Sequence, residues 1–295
     1  MKHTKISWAD STWNPWWGCT KVSPGCANCY AWSQTHHFNQ CEWGDKAERL
    51  RQDAKYWRQP LRWDAEAAKG KVGKDGKHWI VFAGDMCDIF DAHGLPDERD
   101  RMWQLFRATP HLTWLLLTKR PKNFKKYLPA DWGEGYANVW LGVTVEDRKH
   151  GYPRVDILRT TPAKVKFLSC EPLLEDISTI NLTGIDWVIT GGESGGNART
   201  FNADWARLLR DKCKKDNVAF FYKQNGSKAL SGDFVITNSV RWPADKDHAN
   251  PYRDVQGKNP ENFPADLRVR EWPHAGAKTP ASRGGAHPLP HYAKP

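Results

Sequence analysis

Three cysteines stand close together in the segment Trp16-Trp17-Gly18-Cys19-Thr20-Lys21-Val22-Ser23-Pro24-Gly25-Cys26-Ala27-Asn28-Cys29-Tyr30-Ala31, spaced C-x6-C-x2-C. The short second gap lets two thiolates approach one metal centre, and Ser23, Pro24 and Gly25 permit the sharp turn that returns a third. Two chemistries fit this arrangement. Three thiolates can hold a four-iron cube and leave one iron open. The amino and carboxylate groups of S-adenosylmethionine (AdoMet) would chelate that iron, so that an electron from the cluster could cleave the sulfonium to a 5'-deoxyadenosyl radical. Alternatively, Cys41, His36 or His37 completes a closed tetrahedral zinc site, since a CxxC pair serves either metal. The chain has seven cysteines, an odd number weighted toward the N-terminus, which suits metal or cluster ligation in a reducing compartment better than a disulfide framework. Cys87, Cys170 and Cys213 lie in apolar or helical contexts and read as packed thiols.

Such a loop needs a scaffold, and the rest of the chain supplies a regular rhythm. Apolar runs rich in β-branched and aromatic residues occur at Trp79 to Ala83, Thr113 to Leu117, Val139 to Val145, Val165 to Leu168, Trp187 to Thr190 and Val218 to Tyr222. Amphipathic stretches fill most of the intervals, among them Asp97 to Ala108, Tyr152 to Arg159 and Ala203 to Lys215. Continuous apolar strands separated by helices are what a parallel sheet covered on both faces requires. With a weak strand before Cys19, the pattern predicts an α/β fold: a parallel (β/α) barrel, partial or complete, with an N-terminal cluster-binding loop at residues 11–41. A doubly wound open sheet gives a similar rhythm. The barrel domain is expected over residues 1–226, followed by an extension at 227–271 and a flexible tail at 272–295 that is rich in Pro, Gly and His.

Polar residues follow each run: Gly84, Asp85 and Asp88; Thr118, Lys119 and Arg120; Thr144, Glu146 and Asp147; Ser169 and Glu171; Gly191, Gly192, Glu193 and Ser194; Lys223 and Gln224. The carboxyl ends of parallel strands converge on one rim, where barrels place their chemistry. Each residue also has a plainer role open to it. Asp85 or Asp88 can cap a helix, the Gly-rich stretch can be a tight turn, and single lysines are usually solvated. The backbone N–H groups of the Gly191–Gly196 stretch could instead cradle an anion. Lys119, Arg120, Arg199 and Lys223 are the candidates for gripping a substrate phosphate or carboxylate. No Ser-His-Asp order and no HExxH stands out.

Lys plus Arg exceed Asp plus Glu by 44 to 34, a formal charge of +10, which favours polyanionic partners such as nucleic acid. The seventeen tryptophans could stack unpaired bases, although those in strand-like runs read first as core. No apolar run approaches the roughly 18 residues needed to cross a bilayer, and Met1 to Asp10 lacks the apolar centre of a signal peptide, so a cytoplasmic protein with no membrane association is expected.

From about Lys5 to Gly226 the chain resembles a family of phage and prophage proteins with a three-Cys motif, related to the radical AdoMet superfamily. The resemblance rests on Thr12-Trp13-Asn14-Pro15, Gly18-Cys19, Cys26-x2-Cys29-Tyr30-Ala31, Asp85 to Phe90, Leu117-Thr118-Lys119-Arg120-Pro121, Leu141-Gly142-Val143-Thr144-Val145-Glu146, Leu168-Ser169-Cys170-Glu171-Pro172-Leu173, Gly191-Gly192-Glu193-Ser194-Gly195 and Lys223-Gln224-Asn225-Gly226. The first cysteine gap is six residues rather than the superfamily's usual three. The resemblance implies a [4Fe-4S] cluster on Cys19, Cys26 and Cys29 and AdoMet held by Gly84, Asp85, Thr144, Glu146, Ser169, Glu171, Gly191, Gly192 and Glu193. Within that set Asp85 would face the methionine ammonium, and Thr144 with Glu146 the ribose. It further implies an electron donor such as flavodoxin or ferredoxin. The expected substrate is phage DNA, with an amino-acid-modified thymidine isomerised by carbon-to-nitrogen migration, a hypermodification that evades restriction. The alternatives are a zinc-stabilised nucleic-acid-binding protein without catalysis, and a radical enzyme for repair or for RNA or protein modification.

Overall fold

In a computed structural model that describes residues 4–37, 43–231, 234–237 and 258–273, seven parallel strands form one sheet. They are β1 (Ser11–Trp13), β2 (Trp79–Ala83), β3 (Leu112–Thr118), β4 (Val139–Thr144), β5 (Val165–Cys170), β6 (Trp187–Gly191) and β7 (Ala219–Gln224). Their spatial order is their chain order, and every neighbouring pair is parallel. A doubly wound sheet reverses its strand order at a switch point, and this one does not. Right-handed crossovers that always step the same way lie on one face, and the bare face closes on itself.

The curl is visible in the packing. β2 and β6 are four strands apart, about 19 Å in a flat sheet. Yet the ring of Trp8 lies 4.8 Å from that of Phe82 on β2 and 6.4 Å from that of Trp187 on β6. Side chains alternate along each strand as the pleat dictates. On β2, Ile80 and Phe82 point into the half-barrel with Leu115, Trp140, Phe167, Trp187, Ile189 and Phe221, while Trp79, Val81 and Ala83 face the outer layer. The aromatic filling explains most of the tryptophan content, because the majority of the described tryptophans are buried.

Helix α1 (Tyr30–His37) stands at the strand ends, while the outer layer comprises α2 (Gln59–Ala67), α3 (Pro96–Ala108), α4 (Arg148–Thr160) and α5 (Ala203–Asp216). α4 begins where Asp147 accepts from the backbone N–H of His150, and α5 where Asn202 accepts from that of Asp204. α5 ends on Asn217 in the left-handed region, a common helix stop. The β3–β4 crossover carries only a short helix, Phe124–Tyr127, and the β5–β6 connection has none.

The barrel is therefore partial: among the described residues β1 and β7 do not pair. The free edge of β7 is covered from the C-terminal side, as Tyr222 N donates to Val269 O at 2.8 Å and Glu271 N to Phe220 O at 2.9 Å. Two boundaries shift from expectation. Residues 11–13 belong to the sheet rather than to the cysteine loop, and Trp272, expected at the head of a flexible tail, packs edge-on against Phe221 at 5.0 Å. The rest of that tail, residues 274–295, and residues 232–233 and 238–257 of the extension lie outside the described residues.

Candidate active site

The carboxyl ends of β2 to β7, with the loop that follows β1, border a cavity of about 720 Å³. Its wall includes Cys19, Cys26 and Cys29 together with Gly84, Asp85, Lys119, Arg120, Thr144, Ser169, Glu171, Gly192, Glu193 and Lys223. The rim expected from strand periodicity is thus one continuous surface. Of the candidate residues, Glu146, Gly191 and Arg199 stand behind that wall rather than on it.

The three cysteines are free thiols, each half-buried. Their loop leaves β1, makes a tight turn over Pro24–Cys26 and enters α1. Cys19 is gripped by Arg120, whose Nη1 stands 3.5 Å from its Sγ and whose Nη2 donates to the carbonyl of Thr20. Burial and nearby Asp88 push the Cys19 thiol up to about 12, and Arg120 works in the opposite direction. The three sulfurs are not drawn into a single-ion geometry. Among the described residues, the group of three such ligand atoms within 4.8 Å of one another is Glu146, Asp147 and His150, where Asp147 caps α4 and accepts from His150. Cys87, Cys170 and Cys213 are buried, as packed thiols should be. Cys41 and the side chain of His37 lie outside the described residues, and His36 stacks on Trp32 with 4.9 Å between rings.

Most of the charged candidates have protein partners. Arg120 Nη1 donates to Asp88 Oδ2 at 2.8 Å, with both side chains nearly buried. Lys223 pairs with Glu171 at 2.8 Å. Arg199 lies off the wall and pairs with Glu193 at 2.6 Å. Glu146, fully buried, accepts from Arg154 at 2.5 Å; burial works to raise its carboxyl, but Arg154 prevails and holds it below the usual range. The Glu146 carboxyl also sits directly under the cysteine loop: a Cβ on Gly25 would meet it at 3.2 Å and Lys119 Cε at 3.3 Å, so a larger residue there would push these side chains back by a few tenths of an ångström. Among the four basic candidates, Lys119 alone has an ammonium with no ion-pair partner among the described residues.

The Gly-rich turn after β6 is built for close packing more than for cradling an anion. Gly192 N donates to Gln224 O at 3.1 Å, Gly195 N donates to Ser227 Oγ at 2.9 Å, and a Cβ on Gly192 would stand 2.2 Å from Asn225 O. Apart from ion-paired groups, three polar atoms on cavity-lining residues are left over. Trp8 Nε1, Thr144 Oγ1 and Gln224 Oε1 are buried with no hydrogen-bond partner among the described residues. Polar atoms left over in a cavity wall call for a partner from outside the chain, a water, an ion or a ligand's polar group.

Asn14 is a site residue that strand periodicity does not single out, although it lies in one of the motifs that carry the family resemblance. At the end of β1 its Nδ2 donates to Asp85 Oδ1 at 2.6 Å, and its Oδ1 accepts from Met86 N at 2.8 Å. Tyr30, the first residue of α1, donates its hydroxyl to Asp85 O at 3.0 Å. Asp85 is thereby framed from both ends of the cysteine loop. Burial pushes its carboxyl up to about 6, with Asn14 partly opposing.

The fold and site define an α/β protein with three free thiols over a largely apolar cavity, set with a few polar and charged groups, at the carboxyl mouth of an open parallel barrel. The chain belongs to DUF5131, a family described as of unknown function, whose sequence model matches residues 3–264. No curated protein and no solved structure matches it. No helix among the described residues is long and apolar enough to cross a membrane.

Proposed function

We propose that the protein is a radical AdoMet enzyme in which Cys19, Cys26 and Cys29 hold a [4Fe-4S] cluster and the strand-end cavity holds AdoMet beside a nucleic-acid substrate. The observation that carries this reading is the gathering of three free thiols and three orphaned buried polar atoms, Trp8 Nε1, Thr144 Oγ1 and Gln224 Oε1, on the residues lining one cavity. Three thiolates are the donor set of a cube that leaves one iron open, whereas a closed zinc site would need a fourth ligand.

When bound, the cluster and AdoMet supply hydrogen-atom abstraction from an unactivated carbon. The chain's own residues do the rest. Thr144, Ser169 and Gln224 offer hydroxyl and amide groups to AdoMet, and Asp85 offers a carboxylate to its ammonium. The Glu171–Lys223 pair can exchange its internal bond for one to the ligand. Lys119 offers a cation to a substrate anion at the mouth. Exposed Lys122, Lys125 and Lys126 continue that charge outward beyond β3, and half-buried Trp32 and Trp43 line the same mouth, where a flipped base could stack. The substrate we favour is phage DNA bearing an amino-acid-modified thymidine. A hydrogen atom removed and then returned after carbon-to-nitrogen migration makes the net reaction an isomerisation with no external oxidant.

The test is anaerobic incubation of the reduced protein with AdoMet and phage DNA, followed by nucleoside analysis. Because the returned hydrogen atom regenerates AdoMet, the expected result is a mass-neutral change in a modified nucleoside that requires both AdoMet and reductant and takes up deuterium from AdoMet labelled at its 5' carbon. A product found on RNA or protein but never on DNA would move the substrate class, and absence of both label transfer and 5'-deoxyadenosine would reject the enzyme.

A further inference from the structure

Among the described residues the segment bearing Cys26 and Cys29 pairs with no strand, and its backbone–backbone bonds are local, such as Cys26 N to Ser23 O at 2.9 Å. Tyr30 ties its far end to Asp85 O, and the side chain that ties the stretch between the two cysteines to the turn after β6 is Asn28. Asn28 Nδ2 donates to Glu193 Oε2 at 2.9 Å and to Asn197 O at 2.8 Å, so both amide hydrogens reach the turn after β6. Glu193 is itself fully engaged. Its Oε2 also accepts from Arg199 N at 2.9 Å and Arg199 Nε at 3.0 Å, and its Oε1 accepts from Arg199 Nη2 at 2.6 Å. Its backbone is locked as well, because Ser227 N donates to Glu193 O at 2.8 Å, and Gly226, at φ +77°, passes so close that a Cβ would stand 2.6 Å from that oxygen.

A carboxylate that already accepts four bonds has little capacity left for a cofactor. We infer that Glu193 is a positioning residue: oriented by Arg199, it sets the placement of the Cys26–Cys29 segment over the cavity through Asn28. This contact stands on geometry alone, and only its consequence for metal binding rests on the function proposed above. The arrangement divides labour around the loop. Arg120 holds the Cys19 end, Glu146 lies beneath Gly25, and Glu193 holds the end with the paired cysteines.

The test uses the full-length chain and four proteins: wild type, Asn28→Asp, Glu193→Gln and the double variant, with Asn28→Ala as an uncharged control. Amide hydrogen exchange over residues 24–33 of the metal-free protein reads the latch directly. Asn28→Asp sets carboxylate against carboxylate, and exchange there should quicken about tenfold, the factor expected for loss of one charge-assisted hydrogen bond. Asn28→Ala should act in the same direction. In the double variant the amide introduced at position 193 can donate to the carboxylate introduced at position 28, and protection should return toward wild type, which a general loss of stability would not allow. After anaerobic reconstitution, iron per chain should fall in Asn28→Asp and recover with the double variant. Unchanged exchange in both Asn28 variants, or quickened exchange without rescue, would overturn the latch. Quickened and rescued exchange with full iron retention throughout would overturn its positioning role. Wild-type protein that takes up no iron while the exchange pattern holds would instead refute the cluster and leave the latch standing.

Discussion

Replacing Arg120 with methionine tests whether this basic rim residue holds the site together. The side chains of Arg120 and Asp88 are 10% and 8% exposed, and their ion pair measures 2.8 Å. Asp91, 3.8 Å from Arg120 Nε, keeps Arg49 at 2.8 Å when Arg120 is lost. Asp88 keeps only neutral donors: the hydroxyl of Thr118 at 2.7 Å and the backbone N–H groups of Phe90 at 3.0 Å and Lys119 at 3.1 Å. The cost is therefore that of one buried carboxylate without a counter-charge. Such losses run to about 3–5 kcal/mol, and the three remaining donors place this one near the lower end, about 3 kcal/mol. Adding Asp88→Asn removes the stranded charge and should recover most of the loss. Urea denaturation of the four proteins of the cycle measures both numbers. A cost below about 1 kcal/mol for Arg120→Met, or no recovery in the double variant, would refute the reasoning.

Trp187, fully buried, meets Trp8, Trp140 and Phe221 edge-on at 6.4, 6.1 and 6.0 Å, so Trp187→Ala should destabilise the half-barrel by about 3–5 kcal/mol in the same assay. Asp85 binds its proton up to about pH 6 when folded, whereas an unperturbed aspartate releases it near 3.8. Over that window the folded state holds the extra proton, so this group's contribution falls as pH rises and stays low above it, by at most about 3 kcal/mol. Asp85→Asn should accordingly gain stability relative to wild type between about pH 4 and pH 7, and a constant difference across that range would show that the carboxyl is not perturbed. DNA affinity should fall with salt: four phosphate contacts by Lys119, Lys122, Lys125 and Lys126 give a log–log slope of about 3.6 on duplex and 2.8 on single strands, and binding indifferent to salt would reject this surface.

The strand rhythm is legible in the sequence because a parallel sheet covered on both faces demands uninterrupted apolar runs, and Trp79–Ala83 is such a run from end to end. Strand order is not, since periodicity is the same for a barrel and a doubly wound sheet; contacts such as Trp8 with both Phe82 and Trp187 decide it. That the polar residues after each strand share one rim also follows from the pattern. Their partners do not. Arg120 reaches Cys19 from 101 residues away, and Asn28 reaches Glu193 across 165, separations over which local spacing carries no signal. Glu146 and Glu193 read as cofactor ligands through the family resemblance, which does not show what else they touch; Arg154 and Arg199 engage them. Asn28 is hidden by the cysteines on either side, which point to the metal and away from the residue that anchors the loop.

The central claim is most directly tested by iron and acid-labile sulfide analysis of protein purified and reconstituted without oxygen. The account predicts about four iron and four sulfide per chain in the wild type, lost in Cys19→Ala, Cys26→Ala and Cys29→Ala but retained in Cys41→Ala. One zinc per chain, or full iron in any of the first three variants, would contradict it.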